Sequence, residues 1–592
     1  MMRPGRRVIF SLGLTALSWI LVTGCAGSGS SMEGPPPSDG GHDGGPSCKT
    51  DQDCGPGLAC QAGRCVVVPD GGTQTDAGPP EDEHLVFGPP VGSENYVFVV
   101  NTTLGTVAKI DPGSLANIEV SSIPVGLRPT ILATIPGSDN AVVLNEGSRS
   151  LSVIEAAEDQ DTVIDVEIGQ PYTSMVLSPG GRWAVAFFDQ SEVWTDPSNS
   201  ASKIAVVDID AVLAGEIKVY EFAVGYRVTD VIFDRLNGPQ GPFASRLLIV
   251  SKSEIAVADL GLLQTTWILP RVWIDNPDAE VVEAREVLAT PDARILLFRN
   301  YNTAELTIVD MEQAESTRLL LHSVPTDVDL SPDGTTLVAV QRSTGIVTRV
   351  DLNSDLSRVV ELDGVRYFDP DGDGLPEPDD LTHVLAQNPY GEPLKVGQAE
   401  LFTTVDFRLA AVLYTNVDRT EEISIIQLDT MEITYLGRLI NKLVDYVVIS
   451  PSANTALVIH RAEYNSPETD PVEREIDALY GYTLVDLPSQ ATFQQVIEAP
   501  VGPLSFSRSG RYALLTVFDD HLEVNELHVV DLFRLTLQMD SVPLEALPLF
   551  VGALPGGEIG YVAQEHDYGK ITFVDMETMA KRAVTGYELN AE

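Results

Sequence analysis

From about residue 84 to the end, apolar and polar positions alternate with a period of two rather than with the 3.6 period of a helix. In the run Pro325-Thr-Asp-Val-Asp-Leu330, Val328 and Leu330 alternate with Asp327 and Asp329. That is the pattern of a half-buried strand. Ser331-Pro332-Asp333-Gly334 follows, a tight-turn sequence, and then a second apolar strand, Thr335 to Val340. A third element is a short Val/Ile-rich run ending in an acid. It recurs ten times, ending at Asp111, Glu155, Asp208, Asp259, Asp310, Asp351, Asp429, Asp486, Asp531 and Asp575. Most copies lie 41 to 57 residues apart, and the long interval from Asp351 to Asp429 holds an insertion. The terminal carboxylate is suited to accept backbone N–H bonds and start the next turn.

Four short strands per repeat of this length predict the blade of a β-propeller. The repeat resembles the YVTN family of β-propellers over nearly all of residues 85–592. The resemblance implies that the strand before Ser-Pro-Asp-Gly is innermost and the strand after it second. It makes the apolar-acid strand third and the next segment outermost. The expected fold is all-β: about ten four-stranded repeats in one ring, with two smaller rings as the alternative.

A blade has loops at two ends. Most long insertions fall in second–third or blade-to-blade connections: 189–202, 461–480, 363–399 and the region of 280–285. One, 237–245, falls at the other end. Loops carry function on a rigid scaffold, so the elaborated end is the expected binding face. Exposed aromatics there, such as Trp194 and Tyr464, would favour binding. Convergent histidines and carboxylates would favour an enzyme, either a lactonase-like hydrolase or a metal-dependent oxidoreductase.

Within 363–399 lies Asp369-Pro-Asp371-Gly-Asp373-Gly374-Leu375-Pro-Glu377-Pro-Asp379-Asp380. Its spacing matches the twelve-residue calcium loop. Asp369, Asp371 and Asp373 take positions one, three and five. Leu375 gives its backbone carbonyl, Glu377 acts directly or through water, and Asp380 closes the loop. Prolines replace the flanking helices of an EF-hand, so calcium is expected as a structural staple. A second, weaker constellation is His460, His521 and His566, which end the second strands of three successive repeats. Converging, they would hold a transition metal or supply a base. The alternative is polar residues at the wet ends of strands. Asn145, Asn300 and Arg342 occupy similar positions and read as recognition or solvation residues. No nucleophile elbow, phosphate loop or dinucleotide fingerprint stands in its required context.

The N-terminal part is of a different kind. Arg3, Arg6 and Arg7 precede the apolar run Val8 to Val22, which has signal-segment length and is short for a bilayer span. Leu21-Val-Thr-Gly-Cys25 resembles the lipobox of bacterial lipoproteins. That resemblance implies a signal peptide over 1–24, lipidation of Cys25 and membrane attachment. Ordinary secretory cleavage is the alternative. Ala26 after the cysteine favours the outer membrane over the inner. Cys48, Cys54, Cys60 and Cys65 cluster in 48–66, and no cysteine follows. In an exported chain they read as two disulfides with three possible connectivities. Zinc is the alternative, though zinc knuckles are usually spaced more tightly. The cluster resembles small cysteine-rich modules of deltaproteobacterial lipoproteins. Gly/Ser/Pro/Asp-rich tethers at 25–47 and 67–84 surround it and predict disorder.

Composition narrows the partners. The chain carries 86 acidic against 37 basic residues, a net charge of −49. Such a surface repels phosphate backbones, so nucleic acid is not an expected partner. The reading is a calcium-stabilised envelope lipoprotein that binds a protein or glycan, with an extracytoplasmic enzyme as the alternative.

Overall fold

The computed structural model describes residues 85–587 except for loop segments, chiefly 190–201, 275–284, 353–358, 369–382, 386–398 and 404–408. Before residue 85 it describes one strand pair, Leu58–Gln61 with Arg64–Val67, whose register sets Cys60 opposite Cys65. Cys25, Cys48, Cys54 and all six residues of the calcium motif lie outside the described residues.

Residues 85–587 form a series of mainly antiparallel sheets; seven are built from strands consecutive in sequence, and sheets 4, 5 and 6 are interrupted by or exchange an inserted strand pair. Sheets 1 to 4 cover 91–124, 129–167, 174–223 and 228–273. Sheet 5 covers 285–320, sheet 6 covers 325–351 with 383–385, and sheets 7 to 10 cover 399–437, 444–497, 501–543 and 548–585. Nine are four-stranded blades. Sheet 5 follows the same order through its first four strands and then adds two more, Val365–Phe368 and Val359–Leu362. The expectation of about ten four-stranded repeats is therefore corrected to nine four-stranded blades and one six-stranded sheet.

The added pair also corrects the placement of the insertion. Val359–Leu362 and Val365–Phe368 form a hairpin that joins the outer edge of sheet 5, Arg318 pairing in parallel with Tyr367. An outermost strand offers unpaired N–H and C=O groups, and a hairpin from the next repeat satisfies them. The fourth strand of blade 6 is instead His383–Leu385, paired to Ile346–Thr348. In chain order the calcium motif therefore falls between the third and fourth strands of blade 6 rather than between blades, and its residues lie outside those described.

Each sheet hides its apolar faces against its neighbours. Val97, Val99, Ala108 and Ile110 of sheet 1 pack with Leu554, Tyr561, Ile571 and Phe573 of sheet 10, which closes the series. Their opposite faces, Phe98, Val100 and Val107, pack with Leu132, Val143 and Ile154 of sheet 2. Side chains buried this fully contribute about 1.5–3 kcal/mol each. Alternation along a strand therefore gives both faces to the core, because each sheet is sandwiched between two others.

The repeat's polar marks have structural work at the end carrying the first–second and third–fourth connections. Asp111 accepts from the Gly113 N–H at 2.8 Å, Asp259 from Gly261 at 2.9 Å, and Asp575 from Glu577 and Thr578 at 2.9 Å. Asp208 caps the short helix Ile209–Leu213 through the Ala211 N–H. Several of these acids are also met by an arginine from the first–second turn: Arg182 by Asp208 and Arg511 by Asp531.

Candidate functional site

Second strands end at the opposite face, and so do the blade-to-blade connections. The last residue of a second strand is often a buried polar side chain that ties three pieces together. Gln564 donates to Thr572 Oγ1 on the third strand at 2.6 Å and accepts from the Glu545 and Ala546 N–H groups of the incoming connection. Gln341 does the same with Thr348 and the Ser323 N–H. Asn145, fully buried, donates to Ser150 and Ser152. Buried amides left unpaired would cost about 1–3 kcal/mol each, so these clasps fix where each connection enters. Asn145 is thus buried rather than solvated, held by its amide N–H groups while its Oδ1 has no hydrogen-bond partner. Arg342 lies outside the described residues.

His460 occupies a clasp position. It ends the strand Thr455–His460 and is 1% exposed. Its Nδ1 lies 3.2 Å from the Leu443 carbonyl oxygen and its Nε2 2.7 Å from Thr483 Oγ1. A carbonyl can only accept, so Nδ1 carries the proton and Nε2 accepts from the threonine. Burial lowers its pKa to about 4, the Leu443 carbonyl opposing and Lys442 adding to the fall. His521 and His566 stand just past the ends of their strands and are exposed. Among the described residues no group of three or more His, Cys, Asp or Glu side chains is arranged to hold a metal. The structure thus places His460 in the core and does not gather the three histidines into one centre.

The insertion after His460 is a folded loop. Asp470 caps the helix Pro471–Asp477, accepting from the Val472 N–H at 2.8 Å. Lys442, itself 3% exposed, donates from below to the carbonyls of Ile476 and Asp477 at 3.0 and 3.1 Å. A cation at the carbonyl end of a helix is favourable. This seating presents Tyr464, 73% exposed, with its hydroxyl 3.4 Å from that of Tyr480. The bond to Tyr464, partial burial and the neighbouring Asp519 push the Tyr480 phenol up to about 12.

Other exposed rings lie at the same end. Tyr226 is in the connection from blade 3 to blade 4, Tyr568 in the turn after the second strand of sheet 10, and Trp273 ends an outermost strand. All exposed tyrosines among the described residues are at this end. The other end exposes Ile217, Leu262, Ile268, Phe243 and Phe533. Trp194 lies outside the described residues.

One feature of this face is a short internal repeat. Val125-Gly-Leu-Arg128 and Val224-Gly-Tyr-Arg227 are two copies of one motif, in the connections entering blades 2 and 4. A four-residue self-match would have found them. In both, the glycine is required by close approach: a Cβ on Gly126 would stand 2.2 Å from Ser148 Oγ, and one on Gly225 1.9 Å from Ser251 Oγ.

The fold defines a β-propeller. No protein-family model matches the chain, and no curated protein matches it. Solved structures do. The hydrazine synthase of Kuenenia stuttgartiensis matches over 61% of this chain and 97% of its own, at 13% identity and a TM-score of 0.31. Dihydro-heme d1 dehydrogenase NirN in complex with DHE matches over 68% and 72%, at 16% identity and 0.34. Apo AztD from Citrobacter koseri matches over 59% and 85%, at 13% and 0.29. These likenesses are architectural and carry nothing about activity.

Proposed function

We propose that this chain is an exported envelope lipoprotein, anchored through Cys25 in the outer membrane, whose propeller binds a protein or glycan through its loop-elaborated face. The observation that carries the binding role is the gathering of Tyr226, Tyr464, Tyr568 and Trp273 at one end of a rigid ring. Rings with one apolar side and one polar handle are what interfaces use most. The clasps and the Lys442 seat hold the loops that present them, so little order has to be gained on binding. The lipobox, the tethers and the four-cysteine cluster support a domain held away from a membrane. The spacing of Asp369, Asp371, Asp373, Leu375, Glu377 and Asp380 supports a calcium staple within 363–399.

The test is capture from a detergent extract of cell envelopes, with calcium and with chelator, by the wild-type protein and by Tyr464→Ala and Tyr226→Ala. The expected result is a partner that the wild type retains and at least one variant loses, more weakly held after chelation. Capture that is the same for wild type and both variants would remove the binding face from the account.

A further inference from the structure

Three arginines on this face are out of keeping with their surroundings. Arg128, Arg149 and Arg227 all have left-handed backbones, with φ of 50°, 56° and 59°. Glycine takes that conformation at no steric cost and arginine does not. The backbone does not ask for arginine, and Leu115, Ala293, Ala314, Gln490, Glu523 and Met579 take the same conformation; what sets these three apart is three guanidinium groups exposed on one face. In a chain of net charge −49 a surface guanidinium has carboxylates in plenty. Yet Arg149 and Arg227 have no ion pair among the described residues, and Arg128 meets only Glu146, at 3.3 Å, with its side chain 66% exposed.

The surroundings are built rather than loose. The Glu146 N–H donates to the Arg128 carbonyl, and the Gly147 and Ser148 N–H groups turn toward the Leu127 carbonyl at 3.0 and 3.3 Å. Residues 125–128 and 146–149 are thus one hydrogen-bonded corner carrying two cations and the exposed Leu127. The second corner sets the Arg227 guanidinium 5.5 Å from the centre of the exposed Tyr226 ring. Each corner pairs a planar cation with an apolar surface. The two corners open blades 2 and 4, with blade 3 between them, so one ligand touching both must be extended.

We propose that these corners bind an acidic polysaccharide, its ring carboxylates on the arginine forks and its sugar faces on Tyr226 and Leu127. The proposal rests on the binding-face reading and names its ligand class. An acidic peptide offers carboxylates too, but on flexible stems and without a ring face to lie on tyrosine.

The experiment titrates the full-length protein with an oligogalacturonate, with the same oligomer methyl-esterified, and with an oligoglutamate of equal charge. The expected result is binding of the oligogalacturonate alone. In the double variant Arg149→Gly/Arg227→Gly the affinity should fall at least tenfold. The thermal midpoint should hold or rise, since glycine relieves both left-handed positions. Arg149→Gln/Arg227→Gln repeats the affinity test with side chains retained, and the same loss is expected. Absence of oligogalacturonate binding by the wild type overturns the proposal, as does equal binding of the ester or of oligoglutamate, or an affinity unchanged in both double variants. If the envelope capture still depends on Tyr464 or Tyr226 while the oligogalacturonate fails, this proposal alone is lost and the binding face stands.

Discussion

His460 shows how far a residue's meaning depends on where it is buried. Its ring is neutral in the fold because burial disfavours the charged form. As pH falls below about 6.5 the unfolded chain takes up a proton that the folded chain refuses until about pH 4. Stability present at neutral pH is therefore lost across that window, with a cost of about 2 kcal/mol already at pH 5. Denaturant midpoints at pH 7.5 and pH 5 should show this loss, and His460→Gln should flatten it. An unchanged pH slope in His460→Gln would mean that other groups carry the acid sensitivity. The sequence marked this histidine because it ends a second strand, as the histidines of the next two repeats do. It could not show that Thr483 and Leu443 close around it, since those partners come from the third strand and from the incoming connection.

At the scale of the element, the first–second turn is the most legible unit in the chain. Ser331 Oγ accepts from the Thr336 N–H at 2.9 Å, and Gly334 turns at φ 71°. The same roles fall to Ser178 with Gly181 and to Ser507 with Gly510. Sheet 5 has Ala293 at φ 50° in that place, so a Cβ is tolerated where there is room for it. At Gly334 there is none: an added Cβ would meet Pro291 Cδ at 2.6 Å and Thr290 at 3.0 Å. Gly334→Ala should destabilise the domain by about 1–2 kcal/mol, from strain and crowding together. Chemical denaturation checks it, and a neutral result would show that sheets 5 and 6 can part at that turn. Strands and turns were readable because their determinants are local. The fourth strand of blade 6 was not, since two weakly marked segments compete for that edge and the hairpin 359–368 finds a better one next door.

The ring is closed by contacts between side chains and loops, with the first sheet entirely N-terminal and the last entirely C-terminal. Among the described residues no strand is exchanged across the seam. Instead Arg508 of blade 9 reaches Glu94 of blade 1 and the Pro555 carbonyl, Phe87 meets Tyr587 edge to face, and the Gly556 N–H donates to the Glu94 carbonyl at 2.9 Å. A Cβ on Gly556 would stand 2.0 Å from that same carbonyl oxygen. Gly556→Ala should therefore loosen the seam first. Hydrogen exchange should quicken in Val97–Asn101 and Lys570–Asp575 before blades 4 to 6, with a lower thermal midpoint. Faster exchange spread evenly around the ring would argue against a seam that opens as a unit.

Taken alone, the sequence determined the propeller and the acid that starts each turn. Both follow from spacing of two, four and about fifty residues along one chain, and near-neighbour chemistry is written in order. Only the tertiary structure decided which polar residues are buried clasps and which are exposed. It also decided that a hairpin of one repeat extends the sheet of another, and that of three exposed arginines on one face only Arg128 meets a carboxylate among the described residues. Each of these depends on which distant segments meet, and radial stacking of the sheets sets that.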